Sequence, residues 1–177
     1  GLGDITDTYQ SSGSYYSAEW DSAKAALSIL DNANIPYSLV RGNHDISSGF
    51  NSKFGTGSEY YNDLSALAAK TDAAGRPMAD FFDASKIENT YRKIEAGNDK
   101  YIIFTLDWAP SEAALTWVSN ALSENSDYKA IITLHQFMFS DGTIVDDNES
   151  TLPHEQIGST SWGEVVTEDG VVLPRTL

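Results

Sequence analysis

Apolar residues recur along this chain with two different periods. Trp20, Ala23, Leu27 and Leu30 stand at helical spacing, and Ser17 ahead of them can cap a helix that runs to about Asn32. Leu115, Val118 and Leu122 repeat the pattern behind Ser111, which predicts a second helix from Ser111 to about Leu122. Residues 62–70 suit a short third helix. The run 36–40 reads as a buried strand, and Gly1 to Asp4 as the tail of another. Thr90–Glu95 and Lys100–Leu106 read as the two arms of a hairpin, with Gly97-Asn98-Asp99 in its turn. Ala130–Leu134 is a further apolar strand, and His135 follows it directly.

The rest is polar or glycine-bearing. Residues 5–16 read as a loop, and so do residues 46–60, where Gly49, Gly55 and Gly57 mix with aromatic side chains. Residues 139–163 read as a long polar connection that includes His154. The last stretch stays open between a hairpin turning at Asp169-Gly170 and a helix beginning near residue 172. Strands alternating with helices around one antiparallel hairpin favour a layered α/β or α+β sandwich. At 177 residues, 41% of them hydrophobic, the chain is long enough for one domain with a sizeable core.

Charge and cysteine content narrow the chemistry. Lys and Arg number 11 against 26 Asp and Glu, for a net charge of -15. Such a surface repels phosphate backbones and anionic lipid, which argues against nonspecific nucleic-acid or membrane-surface binding. Its apolar runs are shorter than the ~18 residues a membrane span needs. With no cysteine, a thiolate metal site, a Cys nucleophile and a disulfide framework are all excluded. An acidic, Ser/Thr/Asn/Asp-rich and cysteine-free chain leans toward an exported or cell-surface protein.

Three predicted strands end in residues able to bind a metal: Asp4 after Gly3, Asn43 and His44 after Gly42, and His135. Sites in open α/β sheets form outside the carboxyl ends of the strands, so neighbouring parallel strands would bring these residues to one edge. A carboxylate oxygen, an amide oxygen and an imidazole nitrogen form a mixed ligand set suited to Mn, Fe or Zn. Gly3 and Gly42 permit sharp turns and close backbone approach. Asp45 is placed by sequence to orient His44 through a hydrogen bond. Arg41 reads either as a phosphate contact or as a surface arginine.

In this order, the residues resemble the calcineurin-like metallophosphoesterases. That family's blocks run Asp-x-His, Gly-Asp, Gly-Asn-His-Asp/Glu, a strand-end His and Gly-His-x-His. Gly3-Asp4 stands at the second block, Gly42-Asn43-His44-Asp45 at the third and His135 at the fourth. The surroundings Gly3-Asp4-Ile5-Thr6-Asp7, and the stretch from Leu106-Asp107 to the helix with Trp117, fit as well. The likeness covers nearly the whole chain and leans toward extracellular bacterial members. The first and last blocks are not in this sequence, and Gly-His occurs nowhere in it. The resemblance therefore implies a single partial domain over residues 1–177, an αββα sandwich incomplete at both ends.

It also implies a role for each residue. Two divalent ions (Mn, Fe or Zn) would be bridged by Asp4, with Asn43 and His135 on the second ion. His44 would face the phosphate and protonate the leaving oxygen, with Asp45 tuning it. Two ions about 3.5–4 Å apart activate a nucleophile and clamp the phosphoryl oxygens. The expected activity is hydrolysis of a small-molecule or polymer phosphate mono- or diester, with at most one weakly held ion and little turnover in this chain by itself. The alternative is a degenerate, non-catalytic module of the same fold that binds a phosphate-bearing or sugar ligand. A two-carboxylate glycosidase would have acids to draw on but no motif.

Overall fold

The computed structural model describes residues 2–7, 14–45, 49–108 and 110–135. The expectations for His154, for the 139–163 connection and for the final stretch fall outside these residues. In chain order the elements are α1 (Ser14–Asn32), a single 3-10 turn (Asn43–Asp45), α2 (Gly49–Phe54), α3 (Glu59–Ala68), β1 (Ala79–Phe81), β2 (Thr90–Ala96), β3 (Asp99–Thr105), α4 (Glu112–Glu124) and β4 (Lys129–Thr133). The four strands form one sheet in the order β1-β2-β3-β4. β2 runs antiparallel to both β1 and β3, and β4 lies parallel to β3. This is a mixed α+β architecture.

The hairpin forms where its alternation predicts. Thr90 pairs with Thr105 and Ala96 with Asp99, and Gly97 takes the turn at φ 62, a left-handed conformation that costs glycine little. Two side chains apart on each strand, Tyr91, Ile102 and Phe104 point to one sheet face. There α4 covers them with Leu115, Val118 and Ala121. Ser111 starts α4 as expected, its hydroxyl accepting from the Ala114 N–H at 3.3 Å. The side chain of Trp117 on α4 stacks on Tyr91, centroids 5.7 Å apart.

A charged network is buried on this same face. The Lys93 ammonium reaches Asp72 at 2.9 Å, both side chains fully buried. Asp72 also accepts from Arg76 Nε at 2.8 Å and from the Tyr128 hydroxyl at 3.1 Å. Burial alone would raise the Asp72 pKa, but hydrogen bonds from Lys93 and Arg76 outweigh it and hold the carboxyl well below its usual range. Burial, with hydrogen bonds to Glu95 and Asp72, pushes the Tyr128 phenol above its usual range.

The second core cluster gathers Trp20, Leu39, Phe50, Phe54, Tyr60 and Ile87, with Ala23 and Leu27 of α1 packed against it. It explains three differences from the sequence reading. Residues 46–60 are not all loop, because Phe50 and Phe54 stand one helical turn apart on α2 and both meet Trp20 edge-on. α3 begins earlier than residue 62 because Ser58 caps it, accepting from the Tyr61 N–H at 3.1 Å. The run 36–40 buries Leu39 and Val40, yet only Val40 pairs, in a single parallel bridge to Leu2. β1 has three residues, too few for a period to show in the sequence.

Leu2 and residues 36–38 lie against Arg92, Ile94, Ile103 and Thr133, across a cleft of about 260 Å³. They face the side of the sheet opposite α4. No helix among the described residues is long and apolar enough to cross a membrane.

Candidate functional site

Three chain segments meet at the carboxyl end of β4. They are the Leu2–Asp7 turn, the Gly42–Asp45 turn and the residue that follows Leu134. Close packing of the first two depends on glycine. Gly3 has φ 92, and a Cβ there would collide with the His135 ring; one on Gly42 would collide with the Asp4 backbone and carboxylate. Asp4 itself is left-handed at φ 47, a region that Asp and Asn enter more readily than most residues.

The structure brings Asp4, Asn43 and His135 together. His135 Nε2 lies 3.2 Å from Asn43 Oδ1 and 3.4 Å from Asp4 Oδ2. Its Nδ1 is 2.7 Å from the Leu2 carbonyl. A carbonyl only accepts, so Nδ1 carries a proton and Nε2 is the atom presented to the two oxygens. A ring nitrogen fixed from behind by a carbonyl is also the usual arrangement of a metal-binding histidine. Asp4 Oδ1 is turned the other way and accepts from the His44 N–H at 3.1 Å.

Ligands held about 2.0–2.2 Å from one ion lie roughly 3.0–3.5 Å from each other. His135 Nε2 has that spacing from both the Asn43 and the Asp4 oxygen, so the three residues suit one divalent ion as a partial donor set. Among the described residues no three His, Cys, Asp or Glu side chains cluster closely enough to hold a metal. The set reaches three only by counting the Asn43 amide.

Asp45 corrects the sequence reading. Its carboxylate does not hold His44. The 3-10 turn, closed by Asp45 N–H donating to the Gly42 carbonyl at 3.1 Å, sends the two side chains in different directions. The fully buried Asp45 accepts from the backbone N–H groups of Ile5 (3.0 Å), Thr6 (2.9 Å) and Gly42 (2.9 Å) and from the Thr6 hydroxyl (3.1 Å). It ties the two turns to each other. His44 Nδ1 instead meets the Asp7 carbonyl at 2.5 Å, and the Asp7 N–H is anchored on Glu19 of α1 at 3.0 Å. A backbone carbonyl leaves no trace in a side-chain motif, so nothing in the sequence marks Asp7 as the partner of His44.

Arg41 fits neither of its two readings. Its guanidinium grips Asp107 through Nε (2.7 Å) and Nη2 (2.5 Å), and its Nη1 reaches Glu88 at 3.4 Å. Burial disfavours the Arg41 charge, but Asp107 and Glu88 more than offset this, and the pKa is raised. Asp107 follows β3, so the pair joins that strand end to the Gly42 turn. The sequence sets Asp107 in a stretch that fits the resemblance but does not mark it as the partner of Arg41.

No family model matches the chain, and no solved structure matches it. A Bacillus subtilis (strain 168) protein, "Uncharacterized protein YvnB", is 23% identical to it over 139 residues. That alignment covers 70% of this chain and 9% of the relative, so the chain matches only a small part of that protein's length.

Proposed function

We propose that this chain carries part of a metal-dependent centre for hydrolysing phosphate mono- or diesters, on a layered αββα sandwich of an exported protein. The observation that carries the reading is the meeting of Asp4 Oδ2, Asn43 Oδ1 and His135 Nε2. With Nδ1 protonated, a neutral His135 turns a lone pair toward two oxygens, and a cation between them removes that repulsion. Asp4, Asn43 and His135 would hold the ion. A divalent ion such as Mn, Fe or Zn supplies Lewis acidity toward a phosphoryl oxygen and a nucleophile at neutral pH. A second ion would need donors beyond these three.

The chain's own residues do the remaining work. Asp45 fixes the spacing of the two turns, and through it the positions of Asp4 and Asn43. The Asp7 carbonyl holds His44 Nδ1, which makes Nε2 the nitrogen able to pass a proton to a leaving oxygen. Helix α4 on one sheet face, with Leu2 and residues 36–38 against the other, supports the sandwich.

A second reading has its own support, because a doubly protonated His135 would answer the same two oxygens as an ion pair with Asp4. That arrangement suits a non-catalytic binding module. Calorimetric titration of Mn into the chain separates the two. One weakly bound ion per chain, lost in His135→Ala, is expected; absence of Mn uptake would leave the ion pair standing and sink the metal centre. Turnover is then assayed with p-nitrophenyl phosphate and bis(p-nitrophenyl) phosphate plus Mn, in this chain and in any longer, extended protein that contains it. A metal-loaded extended protein that hydrolyses neither ester would overturn the hydrolase.

A further inference from the structure

We infer that a cleft beside this centre is a binding site for a neutral saccharide ring. The cleft has a volume of about 250 Å³ and is lined by Arg41, Phe82, Lys86, Asn89, Asp107 and Ser111, among others. It opens at the same end of the sheet as the candidate centre. β1 and β3 run in the same direction, and Phe82 and Asp107 follow their ends. Arg41 precedes Gly42 and Asn43, so cleft and centre are about 7 Å apart along the backbone.

The charges in the cleft select against an anionic guest. Arg41 is already held by Asp107 and Glu88, and Lys86 lies 3.9 Å from Asp83. A phosphate or carboxylate would meet three acidic side chains and no unclaimed arginine. A purely apolar guest would bury the amide of Asn89 without a partner. That amide has a fixed orientation: Asn89 Oδ1 accepts from the Asp107 N–H at 3.0 Å, so its NH2 group is left to donate. The Ser111 hydroxyl, whose oxygen caps α4, retains its hydrogen as a second donor. The carboxylates of Asp83 and Asp107 have acceptor capacity to spare.

Phe82 adds the apolar component. Phe82 is 39% exposed, and its ring packs at a tilt against Trp117, centroids 6.2 Å apart. A partly exposed aromatic ring lining a cleft with donors and acceptors suits a pyranose, which shows C–H groups on one face and hydroxyls around its rim. If the hydrolase reading holds, this ring is the alcohol released from the ester; the cleft's affinity for the ring does not depend on that reading.

The probes are methyl α- and β-glucopyranoside, methyl β-galactopyranoside and N-acetylglucosamine. Each is titrated into the metal-free full chain while amide shifts of residues 82–89 and 107–111 are followed by NMR. At least one probe should saturate with a Kd on the order of 10 mM or tighter, and both Phe82→Ala and Asn89→Asp should weaken it about tenfold. Phe82→Ala removes an exposed ring, and Asn89→Asp keeps the acceptor for Asp107 N–H, so both variants should keep the wild-type dispersion of amide signals. Absence of saturable shifts with all four probes, or binding that Phe82→Ala leaves unchanged, overturns the site. No probe carries phosphate and no metal is present, so failure here is distinct from failure of Mn uptake or ester turnover.

Discussion

His135 Nε2 stands 3.2 Å from Asn43 Oδ1, although 92 residues separate the two in the chain. The contact forms because β4 ends beside the turn that follows Val40, and because Gly3 and Gly42 carry no Cβ to hold the turns apart. If this junction is a metal site, Mn affinity should fall at least tenfold in Asn43→Ala and more in Asp4→Ala, since a carboxylate also supplies charge. Calorimetry on folded variants checks the order. Equal affinity in all three proteins would remove the junction from consideration.

His44 should separate binding from chemistry. Through His44→Ala, Mn affinity should change little, because the ring is turned to the Asp7 carbonyl and not to His135. Ester turnover in the metal-loaded extended protein should drop about 10²–10⁴-fold, the usual range for a lost general acid. Full turnover in His44→Ala would show that the proton comes from elsewhere.

Asp45 should behave as a structural residue with a functional consequence. Asp45→Ala leaves three backbone N–H groups without their buried acceptor, at a cost of about 2–4 kcal/mol. Urea denaturation measures the loss. Asp45→Asn should recover part of it, because one amide oxygen remains to accept. Mn affinity should follow stability across these two variants if Asp45 acts by fixing the turns.

Gly3-Asp4, Gly42–Asp45 and His135 stand out in the sequence because ligand-type side chains directly after apolar runs are rare, and the structure brings Asp4, Asn43 and His135 together. The sequence misplaces the Asp45 side chain because adjacency in sequence does not mean contact in space, and a 3-10 turn parts His44 from Asp45. The hairpin and α4 were readable because each carries a full period of apolar residues. α2 was not, since its two phenylalanines sit among Gly, Ser, Asn and Lys. Arg41 could not be placed until Asp107 and Glu88, 66 and 47 residues away, were seen to close on it.

The buried network around Lys93 sets the response to acid. The folded-state pKa of Asp72 lies below its unfolded value of about 3.9. Its contribution is therefore fully present above about pH 4 and is lost as the pH falls toward the folded value. Urea midpoints at pH 7, 4 and 3 should decline steeply over the last interval. Asp72→Asn should be less stable at pH 7, with Lys93 left facing no carboxylate at that position, and should show a flatter acid limb. A parallel decline in both proteins would assign acid sensitivity to other groups.

The left-handed backbone at Asp4 gives this position two simultaneous demands. A library of all amino acids there would be sieved once by φ and once by side-chain oxygen. Glycine passes the first sieve and fails the second; glutamate carries the oxygen but not the tolerance for φ 47. Asparagine alone meets both, without the negative charge. Position 4 should therefore resist drift more than its exposed side chain suggests, with Asp-to-Asn as the one exchange that leaves the turn intact.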